Sequence, residues 1–422
     1  MKSKLSLVLA IILSYGLISG ARPVLAAAGS LDPAFGKGGI TITNFASSGF
    51  VIPSSIKLQS DGKILVLVQA MNDEVLRYTT TGALDTSFGK NGVAVLAPPV
   101  AATMALQPNG QIVIGGIVTD PSTGGAALGV ERLNLDGTRD TSFGSNGLAT
   151  ASLNGRAMGV GYVVLIEPDG DILVGAQLEP IGRHQPFQTA LARFNSAGDL
   201  DTTFGNQGLA IATGSGGCTA LALLSNGGIL VVNAQAIAQF TANGTVESAV
   251  TGGLVIASAG SSSPSTPSIF DANGNYLLGT ELFTGEPSRA HNAAAQVLRF
   301  TQDGAVDSTF ANPDFHYIGS GGFGIEAIVR SLAIEPNGDI VAVGNQSTLT
   351  PNGTVTVNGL ARLTSSGELD PTFGKGGTEI NSVPAGEQGL DEVVVQPADG
   401  NIVTVGTANN LTELTLSRYL AQ

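Results

Sequence analysis

Apolar positions in this chain fall in short runs parted by polar turns, and the runs recur in a fixed order. The first recurring unit is an apolar run, a turn and a second apolar run, as in Leu58-Gln59-Ser60-Asp61-Gly62-Lys63-Ile64-Leu65-Val66. It returns at 106–114, 166–174, 223–231, 270–278, 334–342 and 395–403. Each copy carries Asp-Gly or Asn-Gly at its centre, a pair that tolerates positive φ, so each is expected to be two antiparallel strands joined by a two-residue turn. The second unit is a short strand with a basic residue: Leu76-Arg77-Tyr78, then Arg132, Arg193, Arg299, Arg362 and Arg418 in equivalent settings, with Gln239 in a degenerate copy. The third follows another glycine turn and reads Leu84-Asp85-Thr86-Ser87-Phe88-Gly89. Relatives of it stand at 31–36, 139–144, 200–205, 306–311 and 369–374, with an eroded form at 246–252, and each precedes a final β-prone stretch.

One cycle of these units predicts a four-stranded antiparallel meander, and four-stranded sheets repeated radially are propeller blades. The central glycines (Gly62, Gly110, Gly170, Gly227, Gly274, Gly338, Gly400) are 48, 60, 57, 47, 64 and 62 residues apart. Such variation excludes a solenoid of fixed pitch and suits blades with unequal loops. The repeat is also out of phase with the chain ends. A third unit and a lone strand, Ile40-Thr41-Ile42-Thr43, open it, and Arg418-Tyr419 of a second unit close it. The fold class expected is therefore all-β: a seven-bladed β-propeller of four-stranded antiparallel blades. Its ring is closed by the N-terminal strand completing the last blade, which removes both open edges.

The combination of L-D-x-x-F-G, Q-P-D/N-G-x-I-x-V and A-R-[LF] resembles the bacterial delta-60 repeat family, which is regarded as propeller-like. The resemblance runs through essentially the whole chain after its first residues. It implies an architecture and not a reaction, so no site residue follows from it. The chain departs from the pattern most at Gln239, Glu247 and Val250, and at Phe310-Ala311-Asn312-Pro313.

Composition adds location and removes partners. Lys2 and Lys4, the apolar run 5–17 and the small residues at 24–28 have the layout of a secretory signal peptide. Residues 1–28 are expected to be removed, leaving 29–422 as a single propeller domain, secreted or periplasmic, with no membrane span and monomeric. Net charge is −14, and three of the 19 basic residues (Lys2, Lys4, Arg22) lie in that segment. No basic footprint for nucleic acid exists. Cys218 is the single cysteine and so has no internal disulfide partner; it reads as a small apolar strand residue. No motif for a metal, a phosphate-binding loop or a nucleophile elbow is present, and no cofactor is expected.

In a meander the connections between second and third strands, and those between blades, share one face, and here they vary in length. Variable loops on a rigid scaffold commonly carry binding residues. Candidates on or near that face are Arg183, His184, Phe187, Glu286, Arg289, His291, His316 and Tyr317. The expected function is a non-catalytic exported scaffold that binds a protein or a cell-envelope glycan through these loops. The alternative is an extracellular hydrolase or lyase with a His/carboxylate site at the channel mouth, drawing on His184, His291, His316 and Glu326. A further expectation concerns charges that recur eight positions apart: Arg77 and Asp85, Arg132 and Asp140, Arg193 and Asp201, Arg299 and Asp307, Arg362 and Asp370. Both members change together in the fourth repeat, to Gln239 and Glu247. The spacing predicts an ion pair in each intact blade, with Asp32 delivered to Arg418 by ring closure.

Overall fold

The computed structural model describes residues 27–45, 49–96, 100–120, 124–153, 156, 158–179, 187–213, 218, 220–224, 226–232, 237–250, 268–284, 292–302, 305–311, 314–315, 324–350, 353–380 and 389–422. These residues form seven four-stranded antiparallel sheets and no helix. The blades run 52–95, 100–152, 158–213, 220–250, 268–315, 324–380 and 389–419, the last completed by 40–44. The innermost strand of every blade touches that of the next, and blade 7 touches blade 1, so the ring is closed. Closure is an antiparallel pairing of Ile40–Asn44 with Glu413–Tyr419. It continues outward, with Gly29 N–H donating to Leu420 O at 2.7 Å and Leu420 N–H to Ser30 O at 2.9 Å.

The turns at the central glycines differ from the expected two-residue form. In blade 1, Gly62 N–H donates to Gln59 O and Gln59 N–H to Lys63 O, and only Gly62 (φ 80°) is left-handed, not Asp61. This is a three-residue loop with a glycine bulge. The acid or amide before the glycine braces the turn instead of adopting positive φ. Asp61 Oδ1 accepts the N–H two residues on, as Asn109, Asp169, Asn226, Asn337 and Asp399 also do.

Blade 4 also departs from the expected order. The eroded third unit is not a loop before the last strand; Val246–Val250 is that strand. Without the Phe-Gly-x-x-Gly segment the chain leaves Phe240, turns through 241–245 and pairs straight back.

There is no single core. Apolar side chains collect in seven clusters, each filling the space between two neighbouring blades. The third-unit phenylalanines Phe35, Phe88, Phe143, Phe204, Phe310 and Phe373 are all buried. Cys218 packs between blades 3 and 4 against Gly175, where any Cβ would run into its sulfur, and burial pushes its thiol up. It is a packing residue.

Candidate functional site

Most of the recurring polar residues turn out to be joinery. In all six intact places Arg Nε donates to the aspartate eight positions on or, for Arg418, to Asp32, at 2.8–2.9 Å. The aspartate N–H returns a bond to the arginine carbonyl at 2.8–3.0 Å, so side chain and backbone are clamped together. The same guanidinium lies 4.4–4.9 Å from the centroid of the third-unit phenylalanine. Nearby hydroxyls finish the carboxylate. Hydrogen bonds from Ser87, Thr203 and Thr309 hold Asp85, Asp201 and Asp307 below the usual carboxylate range. In Asp140 and Asp370 burial works against ionisation and is outweighed by Ser142, Thr372 and the paired arginines.

Each pair also reaches out of its own blade. Nη1 of Arg77, Arg132, Arg193, Arg299, Arg362 and Arg418 donates to Leu135, Ser196, Ala242, Ser365, Ala421 and Thr80 O, all in the next blade, at 2.5–2.9 Å. The residue after the phenylalanine adds a backbone bond to the same turn, for example Gly89 N–H to Asp136 O at 2.7 Å. The ring itself sits on a left-handed glycine of the next blade: a Cβ on Gly137 (φ +83°) would lie 2.8 Å from Phe88. Third units are therefore couplings that lock blade to blade. The trio Glu167, Asp169 and Asp171, whose carboxylates approach within 4.8 Å, belongs to this scheme in part. Glu167 takes the place of Gln59, Gln107 and Gln396 beside the arginine, 3.8 Å from Arg193 Nη1.

Among the loop candidates, Phe187 is exposed just before the strand Gln188–Phe194. Arg183, His184, Glu286, Arg289, His291, His316 and Tyr317 lie outside the described residues. The loop differences survive in the hairpins beneath them. The two central strands of blade 6 pair out to Thr350↔Gly353, eleven residues each, whereas those of blade 4 stop at Val232↔Ile237.

A polar group that the sequence did not reveal stands on the innermost strands. The innermost strands of blades 1, 2, 6 and 7 carry a β-bulge at one shared register, between Pro53 and Ser55, Ala101 and Thr103, Val329 and Ser331, and Leu390 and Glu392. A bulge re-aims the residues on it. In blades 6 and 7 those are Arg330-Ser331 and Asp391-Glu392; in blade 1 they are Ser54-Ser55, with Lys57 two positions further. Ser331 Oγ–H donates to Glu392 Oε2 at 3.0 Å across the blade boundary and accepts Val393 N–H at 3.3 Å. Arg330 Nε donates to Asn345 Oδ1 at 2.8 Å. Glu392 is partly buried, against Ser331 of the neighbouring blade. Burial pushes its carboxyl up to about 7 despite Lys57 and Ser331, and burial raises Asp391 against Arg330. Nothing in the spacing marks these residues. They follow no repeat unit, and bulges become visible only once the strands are paired.

The family model described as "Domain of unknown function (DUF5122) beta-propeller" matches residues 59–88, 107–143, 167–204 and 335–373. The match takes in blades 1, 2, 3 and 6. No curated protein matches the chain by sequence. Among solved structures, the periplasmic gluconolactonase of Pseudomonas aeruginosa is similar at 12% identity and a TM-score of 0.44, covering 90% of this chain and 96% of that one. The alpha-L-arabinanase of Penicillium chrysogenum, complexed with arabinobiose, is similar at 10% identity and a TM-score of 0.41, covering 90% and 98%. The polysaccharide lyase Uly1 is similar at 11% identity and 0.35, covering 87% and 90%.

Proposed function

We propose that this chain is an exported propeller of the delta-60 repeat type, released from a signal peptide at 1–28, and that it is a non-catalytic scaffold. On this reading it binds a protein or cell-envelope glycan on its variable-loop face. One observation carries the reading: the repeated charges are used to join blades, while the two faces differ in kind. One face repeats a turn on a left-handed glycine in all seven blades, and the other bears hairpins of unequal reach. A uniform face maintains the ring, and an irregular one is free to be shaped by a partner. The blade 6 hairpin stands highest among the described residues and is the contact to test. Replacing 347–356 by Asn-Gly should lower retention of the mature protein on cell-envelope material about tenfold, since a few contacts dominate most interfaces. Its unfolding free energy should stay within about 0.5 kcal/mol of the parent. Unchanged retention would remove the support for this face.

A second reading, a hydrolase or lyase at the channel mouth, is favoured by Glu392. A carboxyl that titrates near 7 offers both its acid and its base form at neutral pH, which proton transfer requires. If the reading holds, purified protein shortens a polysaccharide with a rate that bends near pH 7. Glu392→Gln then lowers that rate about 10²–10⁴-fold. Equal rates in parent and variant would dismiss Glu392 as the proton-transfer group.

A further inference from the structure

This molecule closes its recurring charges tightly, each arginine resting on its aspartate at under 3 Å. On the inner strands of blades 6, 7 and 1 it does the opposite. Arg330 of blade 6, Asp391 and Glu392 of blade 7 and Lys57 of blade 1 stand on consecutive inner strands. Arg330 acts electrostatically on Asp391, and Lys57 on Glu392. Among the described residues, none of the four lies within 4.0 Å of an opposite charge. Two of them are held apart by neutral partners, Arg330 by Asn345 and Glu392 by Ser331. Arg330 and Glu392 are thus oriented while their charges are left uncompleted, which is the condition of a preorganised polar site.

The order of signs around the wall limits what can complete it. Positive, negative, negative, positive sums to zero when both carboxylates are ionised. An anion would meet Asp391 and Glu392, and a cation would meet Arg330 and Lys57. A hydroxyl oxygen has neither difficulty, because it accepts from a cation and donates to a carboxylate at once. It can therefore span a cation and an anion that do not touch. Several hydroxyls on one rigid ring can span both couples together, and Ser54 and Thr103 stand at the same register of the next inner strands. We propose that the inner strands of blades 6, 7 and 1 bind a neutral saccharide, its hydroxyls bridging Arg330 to Asp391 and Lys57 to Glu392. The proposal rests on the scaffold reading and names a ligand class for the inner strands of the ring.

The test is saturation-transfer NMR on the mature full-length protein with glucose, galactose, mannose, xylose, arabinose and their disaccharides, each at about 10 mM, a range that detects millimolar binding. At least one neutral sugar should give transfer. Arg330→Gln and Glu392→Gln should each weaken it about tenfold or more, as loss of a charged hydrogen bond does. Both variants carry uncharged, hydrogen-bonding side chains and should retain the parent circular dichroism spectrum and unfolding midpoint. The proposal is overturned if no neutral sugar binds, if both variants bind as the parent does, or if galacturonate or free amino acids bind in preference. The protein shortened at 347–356 separates the two readings. Lost envelope retention with absent sugar binding leaves the scaffold standing and the saccharide site refuted. Sugar binding with unaltered retention leaves the site standing and refutes the hairpin face.

Discussion

Asp32→Ala is expected to loosen the last blade more than the same change loosens any internal repeat, at about 3 kcal/mol or more, because it strands a buried arginine. Asp32 and Arg418 are both below a tenth exposed and join at 2.6–2.8 Å across 386 positions of sequence. An internal couple such as Arg132 and Asp140 is tied by eight residues of chain, so its halves stay close after the bond is lost. The terminal couple has no such tether. Its arginine also bonds Thr80 of blade 1 at 2.6 Å and covers Phe35, so the junction of blades 7 and 1 loosens with it. Hydrogen exchange should rise in Ile40–Asn44 and Glu413–Tyr419 of Asp32→Ala, with a lowered urea midpoint. Asp140→Ala, at an equally buried site, is the control. Equal, local loss of protection in both variants would mean that the pair does not guard closure.

The junction of blades 4 and 5 should open before any other, and Phe300→Ala should open it at a cost of about 3–5 kcal/mol. Six junctions carry the full coupling of guanidinium, backbone bond and phenylalanine on glycine. Blade 4 has Gln239 and Glu247 in place of the ion pair, and its third unit has become a strand, so among the described residues it sends no such coupling to blade 5. Among the described residues the junction is held by the smallest apolar cluster: Ala220, Ala222, Leu230, Tyr276, Leu278 and Phe300. The fully buried Tyr276 and Phe300 have ring centroids 5.9 Å apart and supply most of its volume. Native-state exchange should show Ala220–Leu223 and Tyr276–Thr284 opening together and earliest in the parent, and further exposed in Phe300→Ala. If Phe194→Ala, the equivalent change at a fully coupled junction, opens its own neighbours as readily, the couplings contribute little and the six locked junctions are not what holds the ring.

Much of the fold was legible because a repeat tests its own interpretation. A single Asp-Gly between apolar runs is a weak sign of a hairpin; seven Asp-Gly or Asn-Gly turns, six of them in step with the recurring Arg and Phe, define a blade. The joint replacement of Arg by Gln239 and of Asp by Glu247 marked the two as partners. The turn geometry was misjudged for a local reason: Asp-Gly serves both a two-residue turn and a glycine bulge, and the side-chain bond to the N–H two residues on favours the latter. In blade 4 a short β-prone run could serve as loop or strand, and loss of the phenylalanine's seat on the next blade decided it. The inner-strand group was illegible. Lys57, Arg330, Asp391 and Glu392 are spread along most of the chain and belong to no unit of the repeat.

The number of blades, the strand order within each, the burial of the recurring phenylalanines and the partner of every recurring arginine follow from the order of residues alone, because these are local contacts copied many times. What the copies do to one another became visible in three dimensions. That each arginine and phenylalanine reaches into the following blade depends on the distance between neighbouring sheets, which no spacing along the chain encodes. The facing of Arg330, Asp391, Glu392 and Lys57 depends on bulges in separate strands and on a ring that brings blade 7 against blade 1. A repeat makes local geometry readable many times over, whereas a site made from one residue here and another a blade away exists only once the ring has closed.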